Sequence, residues 1–143
     1  MDKIKDVAAF IINDYFGLTG KQLFEMKLHK LLYFTQRESL AVLGEPAFEG
    51  DFEGWSYGPV CRELRSVYVN GSIAVPTKLI SKEVRQVASK VVHKYGLLDS
   101  WKLSKLSHQE FSWNKSRKGL TPNEHGGKVM PLDDIREDAK KVR

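Results

Sequence analysis

The sequence predicts a mainly α-helical domain with a minor β element, built around a central buried helix. Three stretches repeat apolar residues at helical spacing, near residues 4–15, 28–34 and 84–95. Helical periodicity stops over residues 45–57, where aromatic residues alternate with glycine and acidic residues as they do in short strands. A chain of 143 residues has a common domain size, so we expect a single domain over residues 1–143.

One apolar stripe predicts the first helix: Ile4, Val7, Ala8, Ile11 and Tyr15. Gly17 is expected to end this helix in a left-handed conformation. Thr19 followed by Gln22 has the spacing of a capping box, which predicts that a second, long helix occupies about residues 20–43.

The second predicted helix is apolar on more than one face in the stretch "KLHKLLYFTQ", residues 27–36. Five apolar side chains nearly encircle it: Leu28, Leu31, Leu32, Tyr33 and Phe34. A helix that is apolar most of the way round is buried on several sides, so we expect it at the centre of the fold. His29 lies inside this stretch, and we interpret it as a hydrogen-bonded structural histidine rather than a ligand.

The middle of the chain changes pattern twice. One or two short strands are expected over residues 48–57, and Pro59 is expected as the first residue of a following helix. Asn70 and Gly71 would stop that helix, and residues 72–76 would return as a strand against the first one. Helical spacing then resumes over residues 84–95.

The last third of the chain predicts two more helices and a loop. A short helix is expected over residues 98–107, with Asp99 or Ser100 as its cap. Residues 112–131 are polar and glycine-rich, and we expect the stretch "NEHGGK", residues 123–128, to form a loop. Acidic residues come early and lysines late over residues 131–142, which matches the dipole of a final helix.

The composition indicates a soluble cytoplasmic protein. Hydrophobic residues make up 41% of the chain and charged residues 29%. The longest apolar run has only a few residues, and the N-terminus lacks the pattern of a signal peptide, so we expect neither export nor membrane contact.

The sequence offers no catalytic, cofactor-binding or metal-binding motif, so we expect a protein that is not an enzyme. Cys61 is the only cysteine, and the four histidines are scattered without the spacing of a zinc site. Cys61 would lie near a helix N-terminus, which lowers a thiol pKa, but we expect it to be buried and structural. Ser107, His108 and Glu110 are close in sequence but point in different directions, and we interpret His108 as a packing or capping residue.

Three segments resemble the Panacea domain family, which includes the SocA-like antitoxins and the phage-associated GepA proteins. They are "KLHKLLYFTQ", "EGWSYGPVCREL" and "LSKLSHQEFSWNKSR", in the family's order and spacing. The resemblance departs at Phe111 and Ser112, where family members often have glycine or proline, and in the basic ending "KKVR". The matched motif residues, which we expect to be mainly structural, are Leu28, Leu31, Leu32, Tyr33, Phe34, Gln36, Trp55, Tyr57, Gly58, Pro59, Val60, Leu103, Leu106, His108 and Trp113.

The resemblance implies an antitoxin that neutralises a cognate protein toxin by direct binding. Within the stretch "GWSYGPV", we interpret the motif as a corner of the fold: Tyr57 ends a strand, Gly58 permits the turn, and Trp55 covers the central helix. An exposed edge of Trp55 or Tyr57 would also suit an interface.

Charge is divided unevenly between the two halves of the chain. Residues 1–75 hold 8 Lys and Arg against 10 Asp and Glu, whereas residues 76–143 hold 15 against 8. Aromatic residues flanked by cations suit contact with an acidic partner. The partner-binding residues expected on this basis are Trp101, Lys102, Lys105, Lys115, Arg117 and Lys118.

Two alternatives share this basic half. One is a phage or mobile-element DNA-binding regulator that uses residues 100–107 as a recognition helix, although Trp101, Leu103 and Leu106 do not read base edges. We therefore expect only weak, sequence-independent binding to nucleic acid. The other is an adaptor that delivers a bound protein to a protease, which would add the protease as a partner.

Overall fold

The computed structural model describes residues 1–142, which form seven helices and seven short strands. The helices are α1 (Ile4–Thr19), α2 (Glu25–Val42), α3 (Arg62–Arg65), α4 (Lys82–Tyr95), α5 (Ser100–Ser107), α6 (Phe111–Ser116) and α7 (Leu132–Lys140). The strands are β1 (Asp2–Lys3), β2 (Phe48–Glu49), β3 (Phe52–Trp55), β4 (Gly58–Val60), β5 (Tyr68–Val69), β6 (Ser72–Ile73) and β7 (Val129–Met130). The prediction of a mainly α-helical fold with a minor β element is confirmed.

Helix α2 lies at the centre of the fold, as its all-round apolar pattern predicted. It packs against α1, α4, α5 and α7 and against strand β4. Leu28, Leu31 and Leu32 are completely buried. The ring of Phe34 stacks on the ring of Tyr95 from α4, with 4.4 Å between centroids. Burial on several sides is therefore supplied by four helices and one strand.

The strands form three small sheets. Strand β3 is the middle strand of an antiparallel sheet, with Gly54 opposite Pro59 of β4 and Phe52 opposite Met130 of β7. Strands β1 and β2 pair in parallel, and β5 and β6 form a hairpin. The strands expected over residues 48–57 are confirmed as β2 and β3. The expected return of residues 72–76 against the first strand is wrong, since β6 pairs with β5 instead.

The hairpin replaces the helix end that we expected at Asn70 and Gly71. Both residues have positive φ angles, 48° and 88°, as a tight turn between two strands requires. Helix α3 has already ended at Arg65, and strand β5 begins at Tyr68. The same dipeptide suits a helix end and a hairpin turn, and the pairing of β5 with β6 decides between them.

The junction between α1 and α2 also differs from the prediction. Helix α1 ends at Gly20, whose φ is 70° and whose N–H donates to Phe16 O, and Gly17 lies within the helix. The hydroxyl of Thr19 donates to Tyr15 O at 2.8 Å, so it closes the last turn of α1 rather than capping a new helix. Helix α2 begins only at Glu25.

Pro59 lies in strand β4 rather than at the start of a helix, so that prediction is wrong. β4 is an edge strand of its sheet, where the missing N–H of proline breaks no ladder bond. The next helix, α3, starts at Arg62 and is only one turn long.

The C-terminal region contains more structure than its polar sequence predicted. The loop expected at residues 123–128 is confirmed, and it lies between helix α6 and strand β7, which we did not predict. The final helix is confirmed as α7, and Asp99 caps α5 by accepting a hydrogen bond from Lys102 N at 2.8 Å. None of the helices within residues 1–142 combines the length and apolarity needed to cross a bilayer.

The central position of α2 predicts a large stability loss for Leu31→Ala. Deleting a completely buried leucine side chain typically costs about 2–5 kcal/mol, because apolar contact is lost and a cavity remains. Urea denaturation followed by circular dichroism measures this loss. Val42→Ala is the matched control at an exposed position of the same helix, with an expected change below about 0.5 kcal/mol. Equal midpoints for the two variants would contradict the central role of α2.

Candidate functional site

A buried polar cluster joins α2 to the C-terminal helices. The hydroxyl of Tyr33 lies 2.9 Å from Glu110 Oε1 and 3.2 Å from Asp138 Oδ2. Arg37 donates to Glu110 Oε1 and to the hydroxyl of Tyr95, both at 2.8 Å. Burial and the two nearby carboxylates raise the pKa of Tyr33, so its phenol stays protonated and donates. The cluster therefore binds helices together and keeps its charged groups paired.

The same cluster explains why α6 is a helix. Asp138 of α7 accepts hydrogen bonds from the backbone N–H groups of Phe111 and Ser112, at 2.8 and 2.9 Å. These two N–H groups open α6 and have no partner within the helix itself. The cap comes from a residue 26–27 positions further along the chain, so local sequence patterns did not predict it.

His29 is a structural histidine, as we interpreted it from the sequence. Its Nδ1 accepts a hydrogen bond from Cys61 N at 3.2 Å, and its Nε2 lies 3.0 Å from Glu25 Oε2. Because Nδ1 accepts, the neutral ring carries its proton on Nε2 and donates it to Glu25. Burial lowers the pKa of His29, which favours this neutral form.

Cys61 and His108 also have packing roles. Cys61 is completely buried, and burial raises the pKa of its thiol to about 12, the opposite of an activated nucleophile. The ring of His108 stacks on Trp113 at 4.2 Å. Ser107 donates to Ser104 O, while Glu110 pairs with Arg37. Ser107, His108 and Glu110 are thus engaged in separate contacts and do not form a catalytic triad.

The corner expected in "GWSYGPV" is present, but its parts have different roles from those predicted. Strand β3 ends at Trp55, so Tyr57 lies in the turn and is 57% exposed. Trp55 lies outside the main hydrophobic cluster, and its ring contacts His125 at 4.1 Å and the Arg65 guanidinium at 5.1 Å. The expectation that Trp55 covers the central helix is therefore wrong, because β4 takes that position.

Gly58 is required at this corner for two reasons. Its φ of 130° lies in a region that side chains rarely adopt. A Cβ at this position would also lie 2.9 Å from Ser107 Oγ and 3.2 Å from Lys30 Cε. The turn can therefore approach both α5 and α2 closely.

Arg117 was expected on the binding surface, and this expectation is wrong. The residue is only 7% exposed. Its guanidinium donates to four backbone carbonyl groups, at distances of 2.6–3.1 Å. The four acceptors are Gly54 O, Thr121 O, Glu124 O and His125 O. Arg117 therefore holds the loop after α6 against strand β3.

The other five residues of the expected binding set are exposed, but they do not all lie on the same element. Trp101, which is 76% exposed, lies on α5 with Lys102 and Lys105. Lys115 lies on α6 and pairs with Asp134 at 3.1 Å, while Lys118 follows that helix. Trp101, Lys102 and Lys105 are the members of the set that lie together on one helix, and none of the three has a side-chain partner among the described residues. Together with Tyr57 they form what we call the α5 surface, because Ser104 of α5 donates to Tyr57 O at 3.0 Å.

The fold and these contacts define a class: a small helical domain with structural polar clusters in its interior and an exposed surface that is basic and aromatic. Residues 28–114 match a family model described as the antitoxin SocA-like Panacea domain. Because the match covers more than half of the chain, the protein belongs to this family. No curated protein and no solved structure matches the chain.

The role of Arg117 predicts a contrast with its neighbour Lys118. Replacing Arg117 with Met should cost about 3 kcal/mol or more, because several buried carbonyl groups lose a charged donor. Lys118→Met changes an exposed side chain and should cost less than about 0.5 kcal/mol. Thermal and urea denaturation of both variants measure the difference. A stable Arg117→Met variant would return this residue to the binding surface.

The environment of His29 predicts a loss of stability in acid. The unfolded pKa is near 6.5 and the folded pKa is lower, so protonation favours the unfolded chain. The stabilisation is present above pH 6.5 and is lost as the pH falls below it. His29→Asn retains an acceptor for Cys61 N without titrating, and its free energy of unfolding should fall less steeply from about pH 7 to about pH 5. If the free energy of unfolding changes with pH equally in the wild type and in His29→Asn, protonation of His29 does not cause the loss of stability in acid.

Proposed function

We propose that this protein is the antitoxin of a toxin–antitoxin system, and that it neutralises its cognate toxin by direct protein–protein contact in the cytoplasm. Family membership supports the general role. The observation that carries the mode of action is the α5 surface, where Trp101 and Tyr57 are largely exposed among cations. Large aromatic residues dominate the binding energy of many protein interfaces.

The antitoxin acts by binding rather than catalysis. The side chains of residue types common in catalysis have structural roles in this fold. Tyr33 forms buried hydrogen bonds, Cys61 is buried, and His108 stacks on Trp113. The α5 surface is basic, which suits a toxin with an acidic face. Charges at the rim of an interface mainly accelerate association, and aromatic residues at its centre slow dissociation.

A DNA-binding regulator is less well supported than a toxin-binding domain. Helix α5 has eight residues, and Leu103 is completely buried while Leu106 packs against the core. The exposed face of α5 therefore offers Trp101 and two lysines, which can contact phosphates but do not read base edges. The lysines give salt-sensitive affinity for nucleic acid at most.

Co-expression rescue tests the proposed function. The gene adjacent to this one is expressed in a bacterial host, and growth is measured with and without the wild-type protein. We expect toxicity that the wild-type protein relieves, together with a complex that elutes as one species in size-exclusion chromatography. Failure to protect against the product of any adjacent gene would contradict the proposal, as would a tight complex with one DNA operator at physiological salt.

Charge reversal on the α5 surface tests the binding mode within the same assay. Lys102→Glu with Lys105→Glu should slow association with the toxin and reduce protection, while the fold stays intact because both side chains are exposed. The matched control is Lys82→Glu with Lys128→Glu, which changes the charge equally at exposed positions elsewhere. Equal protection by the two double variants would place the interface away from α5.

Measuring toxin levels in cells with and without their proteases separates blocking of the toxin from adaptor-mediated degradation.

A further inference from the structure

Lys30 is a buried cation that the fold leaves unpaired. It lies on α2 and is only 4% exposed. Across residues 1–142, its ammonium has neither a carboxylate partner nor a hydrogen-bond acceptor. The nearby charged clusters of Arg37 and Arg117, by contrast, are fully engaged with acceptors through their terminal nitrogens. The Lys30 nitrogen is not among the fully buried side-chain atoms of the described residues that lack a partner, so the ammonium keeps a contact with solvent through which an anion can reach it.

The position of Lys30 connects it with the α5 surface. Its Cε lies 3.2 Å from the point where a Cβ of Gly58 would be, directly beneath the Tyr57–Gly58 turn. Ser107 Oγ lies 2.9 Å from the same point and marks the α5 side. Since Tyr57 is also held to α5 through Ser104, the end of the Lys30 side chain lies next to the turn that joins Tyr57 to the α5 surface.

The surroundings of Lys30 are electropositive. Burial lowers the pKa of the neighbouring His108, and the charges of Lys30 and Arg117 lower it further. Burial also lowers the pKa of Lys30 itself to about 8. An anion that bound beside Lys30 would form a new ion pair with its ammonium. It would not need to displace an existing ion pair of the described residues.

We propose that Lys30 is the anchor of a carboxylate-binding subsite, which receives an Asp or Glu side chain from an acidic segment of the bound protein. This inference rests on the proposed function and specifies its partner. The acidic side chain enters beside the Tyr57–Gly58 turn, and the neighbouring residues of the segment lie against Tyr57 and Trp101. Lys102 and Lys105 attract the segment from the rim, whereas Lys30 forms its ion pair only after docking.

A protein carboxylate fits these features better than a nucleic acid. A phosphate backbone presents repeated charges and requires several exposed cations along its path. Lys30 is a single recessed cation, and the exposed groups around it are large aromatic side chains typical of protein interfaces.

Lys30→Met separates the binding role from a structural one. Methionine has nearly the same length and no charge, so the variant should be as stable as the wild type or more stable. Its dissociation from the toxin identified by co-expression should be at least about tenfold faster, because the toxin carboxylate would be left buried without a partner. Lys105→Met, at an exposed rim position, should mainly slow association and weaken its salt dependence, with little change in the dissociation rate. A stable Lys30→Met variant with unchanged dissociation would overturn the proposal.

A second measurement does not require the toxin. Nuclear magnetic resonance of the lysine side chains is recorded during titration with sodium acetate, and sodium chloride at equal ionic strength is the reference. We expect a saturable shift of the Lys30 Cε and Nζ signals with acetate, absent in Lys30→Met and much smaller for Lys105. Identical responses to acetate and chloride would overturn the subsite, and tighter binding of inorganic phosphate would favour a nucleic-acid backbone instead. If no toxin is found, the proposed function fails while this titration still decides the subsite.

Discussion

The carboxylate of Asp138 is the constraint on which the rest of the fold depends. It caps the first turn of α6, and the buried hydroxyl of Tyr33 reaches it from the central helix. Helix α6 then positions Trp113, which donates to Trp55 O at 2.9 Å. The loop that follows α6 positions Arg117, which donates to Gly54 O. The corner between β3 and β4 is therefore held in place by a series of polar contacts that begins at Asp138. The family match ends at residue 114, so it does not include this carboxylate.

The motif residues and the exposed residues have separate tasks. Leu28, Leu31, Leu32 and Leu103 fill the core, and substitution there would affect every function of the domain equally. The α5 surface has few packing duties, so its residues can change with the partner at little cost in stability. Lys30 differs from both groups, since its side chain lies buried within the "KLHKLL" segment of the central helix and yet forms no ion pair or hydrogen bond with the described residues. This combination separates it from its apolar neighbours.

Periodicity predicted the elements whose structure depends on their own sequence. The all-round apolar pattern of α2, the cap of α5 by Asp99 and the dipole pattern of α7 are local features, and each is confirmed. Two features that the sequence did not predict depend on distant contacts. Helix α6 depends on Asp138, and the burial of Arg117 depends on four carbonyl groups brought together by a loop. The sequence shows Arg117 only as a cation among polar residues, so its burial had no local signal.

The hydrogen bond between Tyr33 and Asp138 spans 105 positions of the chain, and it has a consequence for synthesis. The central helix emerges from the ribosome early, with several apolar faces and no complete set of neighbours. The last of those neighbours, α7, emerges only when nearly all of the described chain has been made. Contacts between distant segments form late, and partly folded chains with exposed apolar surface tend to aggregate or to be degraded. The supply of active protein should therefore depend on how quickly translation finishes, which makes interrupted synthesis a direct route to its loss.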